Sequence, residues 1–161
     1  MTNVDAATYA EISTTGRSGV RQIDHVAIAA HDADASSQWF EDVLGLQRVH
    51  DEVVTDAGVR LLWLATENST VGDTTFQIVQ PLRPGPIAEF LAQKGEGLHH
   101  VCFAVDSASD FLSSVRQAEG IFTGGYGLPC AFLNATPEGI AVEIVQRGQT
   151  TPKELSWPGG V

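Results

Sequence analysis

Positive charge is scarce in this chain: nine lysines and arginines stand against 20 acids, for a net charge of −11. That balance repels phosphate backbones and anionic lipid, and no basic run supplies a local exception, so nucleic acid is not an expected partner. Cysteine is sparse too. Cys102 and Cys130 form no CxxC pair and are too few for a disulfide framework, which predicts two free thiols. No uninterrupted apolar run approaches the roughly 20 residues of a membrane helix. The first 19 residues, polar and carrying Asp5 and Glu11, have neither the basic nor the apolar region of a secretory signal. The expectation is a soluble, cytoplasmic protein with no membrane partner. A small anionic ligand stays open if several of Arg48, Arg60, Arg83, Lys94 and Arg116 gather at one pocket mouth.

What the sequence does have is an internal repeat. Ile23-Asp24-His25-Val26-Ala27-Ile28-Ala29 returns 75 positions later as Leu98-His99-His100-Val101-Cys102-Phe103-Ala104, with His25 over His100. Each copy leads into a helix-like stretch and closes on a strand with a metal-capable side chain: Gln77 in the first, Glu143 in the second. Two such halves are too small to be comfortable alone and must share a core. An arm (1–20) and a tail (148–161), which Trp157 could anchor, flank a single domain at 21–147. Module one is 21–82, a linker helix 83–96 and module two 97–147.

Alternation and helix signals give each module the order βαβββ. In module one a strand at 23–29 puts His25, Ala27 and Ala29 on one face and Asp24, Val26 and Ile28 on the other. Asp32 or Asp34 caps a helix with Phe40, Val43 and Leu44 at helical spacing, and Gly45 ends it. Strands at 46–54, 59–65 and 74–80 follow. Prolines 81, 84 and 86 break the sheet before a short helix at 87–94 with Phe90 and Leu91 inward. Module two repeats the plan: a strand at 98–105, a helix carrying Phe111, Leu112 and Val115 closed by Gly120, then strands at 121–123, 130–134 and 140–146.

An isolated histidine on an apolar strand is more often a hydrogen-bonded core residue than a ligand. Duplication argues otherwise here, because His25 and His100 are equivalent, and so are Gln77 and Glu143 or nearly so. A buried, unpaired Glu143 would cost several kcal/mol, a cost that coordination removes. Two imidazoles, an amide and a carboxylate suit a divalent first-row ion with open positions, acting as a Lewis acid on a carbonyl. His99 should face away from His100, in a packing or supporting role. On physics alone Gln77 and Gln80 both remain open. Trp63 is a core residue or a lining one, Trp39 and Phe40 pack the helix, and His31 and His50 are expected as surface histidines. Tyr126 and Cys130 border a glycine-rich turn.

The segments Ile23-Asp24-His25-Val26-Ala27, Glu41-Asp42-Val43-Leu44-Gly45-Leu46, Gln77-Ile78-Val79-Gln80-Pro81-Leu82, Pro86-Ile87-Ala88-Glu89-Phe90-Leu91, Gly95-Glu96-Gly97-Leu98-His99-His100-Val101 and Val142-Glu143-Ile144 resemble methylmalonyl-CoA epimerases of the vicinal oxygen chelate (glyoxalase/bleomycin-resistance) superfamily. The resemblance implies an α+β fold of two tandem βαβββ modules forming a bowl-shaped mixed sheet around a metal site. It implies His25, Gln77, His100 and Glu143 as ligands of a divalent ion (cobalt often, or Zn, Ni, Mn or Mg), and Glu143 as ligand and acid/base at once. The substrate would be a small molecule such as a CoA thioester, epimerised through an enolate by a homodimer. Two positions depart from the pattern. Leu61 stands where some bacterial relatives carry a glutamate base, pointing to Glu52, Glu67 or a water as substitute, or to a reaction needing one base. Asn134-Ala135-Thr136-Pro137-Glu138-Gly139 replaces the usual His-Pro-Lys turn. A glyoxalase-like isomerase or lyase of secondary metabolism, and a non-catalytic small-molecule binder, are the alternatives.

Overall fold

Strand β1 (Val20–Ala29), helix α1 (Ala33–Leu44), strands β2 (Gln47–Val54), β3 (Val59–Ala65) and β4 (Thr75–Pro81) make the first βαβββ series. Helix α2 (Pro86–Lys94) leads to the second: β5 (Gly97–Val105), α3 (Ala108–Ser114), β6 (Phe122–Thr123), β7 (Pro129–Phe132) and β8 (Val142–Gln146). This computed structural model describes residues 19–70, 72–137 and 139–148. The arm and tail expected from the sequence, with Trp157, fall almost wholly outside the described residues. The described chain divides into two compact units, one of residues 24–99 and one of residues 19–23 with 100–148.

In the first unit the strands run in the order β2-β3-β4-β1. β1 lies parallel to β4 and the other pairs are antiparallel. Helix α1 begins at Asp32, whose carboxylate accepts the Ala35 N–H at 3.0 Å, and stops at Gly45, whose φ of 67° is cheap only for glycine. Its buried stripe is Ala33, Ser37 and Phe40, packed with Leu62, Leu64, Ile78 and Phe76 on the helix side of the sheet. Val43 and Leu44, expected inside, are each 58 % exposed. At 100° per residue Val43 falls about 80° off that stripe. Leu44 is on it but in the last turn, and Leu46 fills the core beyond Gly45. Trp39, also expected to pack, is 55 % exposed, with only its edge on Phe40.

The β2–β3 turn needs Gly58 at φ +67°, and an added Cβ there would meet the Arg83 side chain. Arg83 donates to the carbonyls of Thr55 and Asp56, and so locks the turn. In α2 Leu91 is buried and Phe90 half-buried, edge-on to His99 at 4.8 Å.

The second unit has the order β5-β8-β7-β6, with β5 parallel to β8 and the rest antiparallel. Val105, Ala108, Leu112, Ala131 and Ile144 form its helix-side core. Helix α3 stops well before Gly120. Arg116 takes the left-handed conformation at φ 59°, and the N–H groups of Arg116 and Gln117 return to the carbonyls of Ser113 and Leu112. This is a Schellman ending made without glycine. Both cysteines are buried, and neither forms a disulfide.

Candidate functional site

Strand register decides which side chains share a face. In the first unit Ala27 pairs with Gln77 and His25 with Thr75, so Gln77 stands on the His25 face, two residues further along. The row through Gln77 continues to Trp63 on β3 and His50 on β2; the next row holds Val79, Leu61 and Glu52. In the second unit Cys102 pairs with Glu143, which puts Glu143 two residues beyond His100 on the same face, with Phe132 next in the row. Each unit therefore carries a histidine on its first strand and an oxygen donor two residues on, on the parallel last strand. All four are 3–6 % exposed.

The same register separates Gln77 from Gln80. Three residues apart on a strand, they face opposite ways, and Gln80 is already engaged: its Oε1 accepts the Ala33 N–H at 3.0 Å, at the start of α1. Gln146 does the same for Ala108 at 3.0 Å, at the start of α3. Gln80 and Gln146 are thus a repeated helix-capping pair. Gln77 is the buried amide left on the donor face.

Each unit buries one carboxylate against its histidine. Asp24 Oδ1 accepts the His25 Nδ1–H at 2.8 Å, with both side chains at most 7 % exposed. That contact fixes the tautomer, with the proton on Nδ1 and the lone pair on Nε2. Sequence alternation placed Asp24 on the opposite face and missed this role. The one available signal was an acid directly beside the candidate histidine. In the second unit His100 Nε2 lies 2.9 Å from Glu143 Oε2, and Phe132 sits edge-on to the His100 ring at 5.2 Å. His99 is turned to Phe90, as alternation required.

The donor set fits a divalent cation. Two buried carboxylates, each beside an imidazole, would be costly without a positive charge to answer them. The set of imidazole nitrogen, amide oxygen and carboxylate oxygen suits first-row ions that accept mixed N/O ligation. His25, His100 and Glu143 are potential ligands of this type. Around the donors the face is apolar: Trp63 is 2 % exposed, and Leu61, Val79, Ala27 and Ala29 are buried. Trp63 is accordingly both core and lining.

Several other expectations change. His50 is half-buried on the donor face, its ring 5.1 Å from Trp63 and its Nε2 3.5 Å from Glu52 Oε1. It is not a surface histidine. Glu67 lies exposed in the turn after β3. The arginines do not gather for an anion: Arg48 and Arg60 are held by Asp34, Glu41 and Asp51 on the helix side, and Arg83 by turn carbonyls. Tyr126 adopts a left-handed φ of 56°, with Arg147 over its ring at 5.4 Å. Cys102 occupies the position matching Ala27, beside Glu143 in register.

The family model for the Glyoxalase/Bleomycin resistance protein/Dioxygenase superfamily matches residues 24–127. Human mitochondrial methylmalonyl-CoA epimerase is 28% identical over 134 residues, covering 78% of this chain and 73% of that protein. The crystal structure of methylmalonyl-CoA epimerase from Mycobacterium tuberculosis aligns with a TM-score of 0.71 at 28% identity, over 83% of this chain and 93% of that one. A Streptomyces coelicolor methylmalonyl-CoA epimerase variant in complex with 2-nitronate-propionyl-CoA aligns with a TM-score of 0.70 at 28% identity, over 79% and 97%.

Proposed function

Because the chain belongs to the glyoxalase/bleomycin resistance protein/dioxygenase superfamily, we propose that it is a metal-dependent epimerase that acts through an enolate on an acyl-CoA carbonyl substrate of the methylmalonyl-CoA type. The observation that carries this reading is the repeated placement of a buried histidine and a buried oxygen donor, His25 with Gln77 and His100 with Glu143. His25, Gln77, His100 and Glu143 are assigned to one divalent ion. Relatives named methylmalonyl-CoA epimerase support the substrate class, and the complex of one with a nitronate supports the enolate, since both are planar, delocalised anions. Cobalt as the native ion and a homodimeric assembly belong to the same proposal and rest on the family resemblance. Among the described residues no helix is long and apolar enough to cross a membrane.

The bound ion would supply Lewis-acid polarisation of the substrate's thioester and carboxylate oxygens. The chain's own residues do the rest. Asp24 holds His25 in one tautomer through Nδ1. Trp63, Leu61 and Val79 keep water from the donor face, which strengthens each charge interaction there. Glu143, with Oε2 beside His100, serves one face of the α-carbon: its carboxylate takes the α-proton from one epimer, and its protonated form delivers a proton when the reaction runs from the other.

Leu61 favours a second reading, in which the enolate forms on a different carbonyl substrate and one base suffices, as in glyoxalase-like isomerisation. Deuterium incorporation at the α-carbon of methylmalonyl-CoA, measured with added cobalt, tests the first. The wild type should exchange and Glu143→Gln should fall by about 100-fold or more. Wild-type exchange no faster than that of Glu143→Gln removes this substrate.

A further inference from the structure

We propose that Glu52, paired with His50, is the second acid/base of the epimerase, exchanging a proton with the α-carbon on the face that Glu143 does not serve. The proposal rests on the epimerase reading above. Inverting a stereocentre through an enolate requires a proton to leave one face and arrive on the other. Glu143 accounts for one.

The ionisable side chains that β1–β4 place on the Gln77 face are Arg21, His25, His50 and Glu52, and Arg21 is engaged by Asp106. His25 is committed to Asp24 and to ligation. Leu61, buried in the row next to Gln77, cannot move a proton, and Glu52 is its direct partner in register. Adjacent strands are about 4.8 Å apart, so a carboxylate on a two-methylene stem in this row stays within reach of substrate lying over Leu61.

Burial separates Glu52 from its neighbours. Asp51 and Val53 are exposed and face the helix side, where Arg60 holds Asp51 at 2.7 Å. The Glu52 side chain is 25% exposed and its oxygen lies 3.5 Å from His50 Nε2, which itself leans on Trp63. A half-buried carboxylate backed by an imidazole can take a proton from substrate on one side and pass it toward solvent on the other.

The step balances without a redox partner. Glu143 removes the α-proton, and the electron pair of the broken C–H bond goes into the enolate. Protonated Glu52 then donates to the α-carbon from the other face, a new C–H bond forms, and Glu52 is left as the carboxylate. His50 then passes Glu52 a proton drawn from water, and Glu143 gives up to water the one it took, which resets both carboxyl groups. The opposite epimer runs the same steps in reverse.

The test uses cobalt-loaded full-length protein in D2O with each methylmalonyl-CoA epimer separately. The wild type should exchange and invert both. Glu52→Gln should lose inversion by about 100-fold or more, yet keep deuterium wash-in, with retained configuration, from the one epimer whose proton Glu143 removes. Glu52→Asp should invert faster than Glu52→Gln, which shows that the carboxylate and not the fold is responsible. Inversion by Glu52→Gln at the wild-type rate, or equal loss of exchange from both epimers, overturns the role of Glu52 while leaving the epimerase reading in place. A wild type that exchanges neither epimer withdraws both.

Discussion

A glutamine three residues along a strand can have an entirely different task, as Gln77 and Gln80 show. Gln80 spends its carbonyl on the Ala33 N–H, one of the unpaired donors at a helix start. Gln77 points into an apolar, buried face where no helix end needs it. Gln80→Ala should therefore lower stability by about 1 kcal/mol, in the range of other lost helix caps, and leave metal affinity unchanged. Gln77→Ala should weaken cobalt binding at little cost in metal-free stability. Urea unfolding of the apo protein and calorimetric titration with cobalt separate the two, and a Gln80→Ala variant with impaired cobalt affinity would reverse the assignment. The sequence alone left this choice open because alternation shows that the two face apart but not which face holds the helix. Asp24 was hidden for a related reason. Its backbone position is on the far face, and only the side chain's path to His25 Nδ1 brings it to the site. The equivalence of His25 with His100 and of Gln77 with Glu143 was legible because the repeat marks each position twice.

Elements joined by charge depend on pH in a way that elements joined by packing do not. Asp34 in the first turn of α1 accepts from Arg60 on β3 and Arg48 on β2, and Arg48 also holds Glu41 further along the helix. Hydrogen bonds from Arg60 first, then Arg48, hold the Asp34 carboxyl at about 2 against an ordinary 3.8. The folded value is depressed, so the stabilisation is complete above about pH 4 and drains away as pH falls through about 2. Asp34 is 54% exposed, and solvent screening keeps each such pair within about 1 kcal/mol. Asp34→Asn should lower the melting temperature at pH 6, and thermal scans at successively lower pH should show the gap to wild type closing as Asp34 protonates. A gap that is constant down to pH 2 would assign the effect to helix packing. At this scale strand positions were readable from alternation, as for Val59–Ala65, which matches the expected bounds. The end of α3 was not, because Arg116 adopts the left-handed turn that sequence reasoning assigns to glycine.

Repetition across the whole chain extends beyond the ligands. Asp32 and Ser107 cap equivalent helices, Gln80 and Gln146 support them, and each unit sets its oxygen donor two residues past its histidine. What differs is the charge. The carboxylate beside His25 comes from its own strand, and the one beside His100 from the last strand. Neither unit alone offers more than one histidine and one oxygen donor of the proposed set, too few to hold a first-row ion tightly. If all four serve one ion, binding should be one cobalt per chain, and every donor should matter to the same event. An ion bound only by the folded state adds roughly 2.7 kcal/mol at a hundredfold excess over its dissociation constant, which in a chain of this size raises the melting temperature by roughly 5–10 °C. His25→Ala, from the first unit, and Glu143→Ala, from the second, should each abolish that cobalt-induced rise, whatever they do to the apo protein, and a chelator should erase it in the wild type. Two ions per chain, or a rise that survives in both variants, would mean that the halves bind separately and would remove the basis for the proposed chemistry.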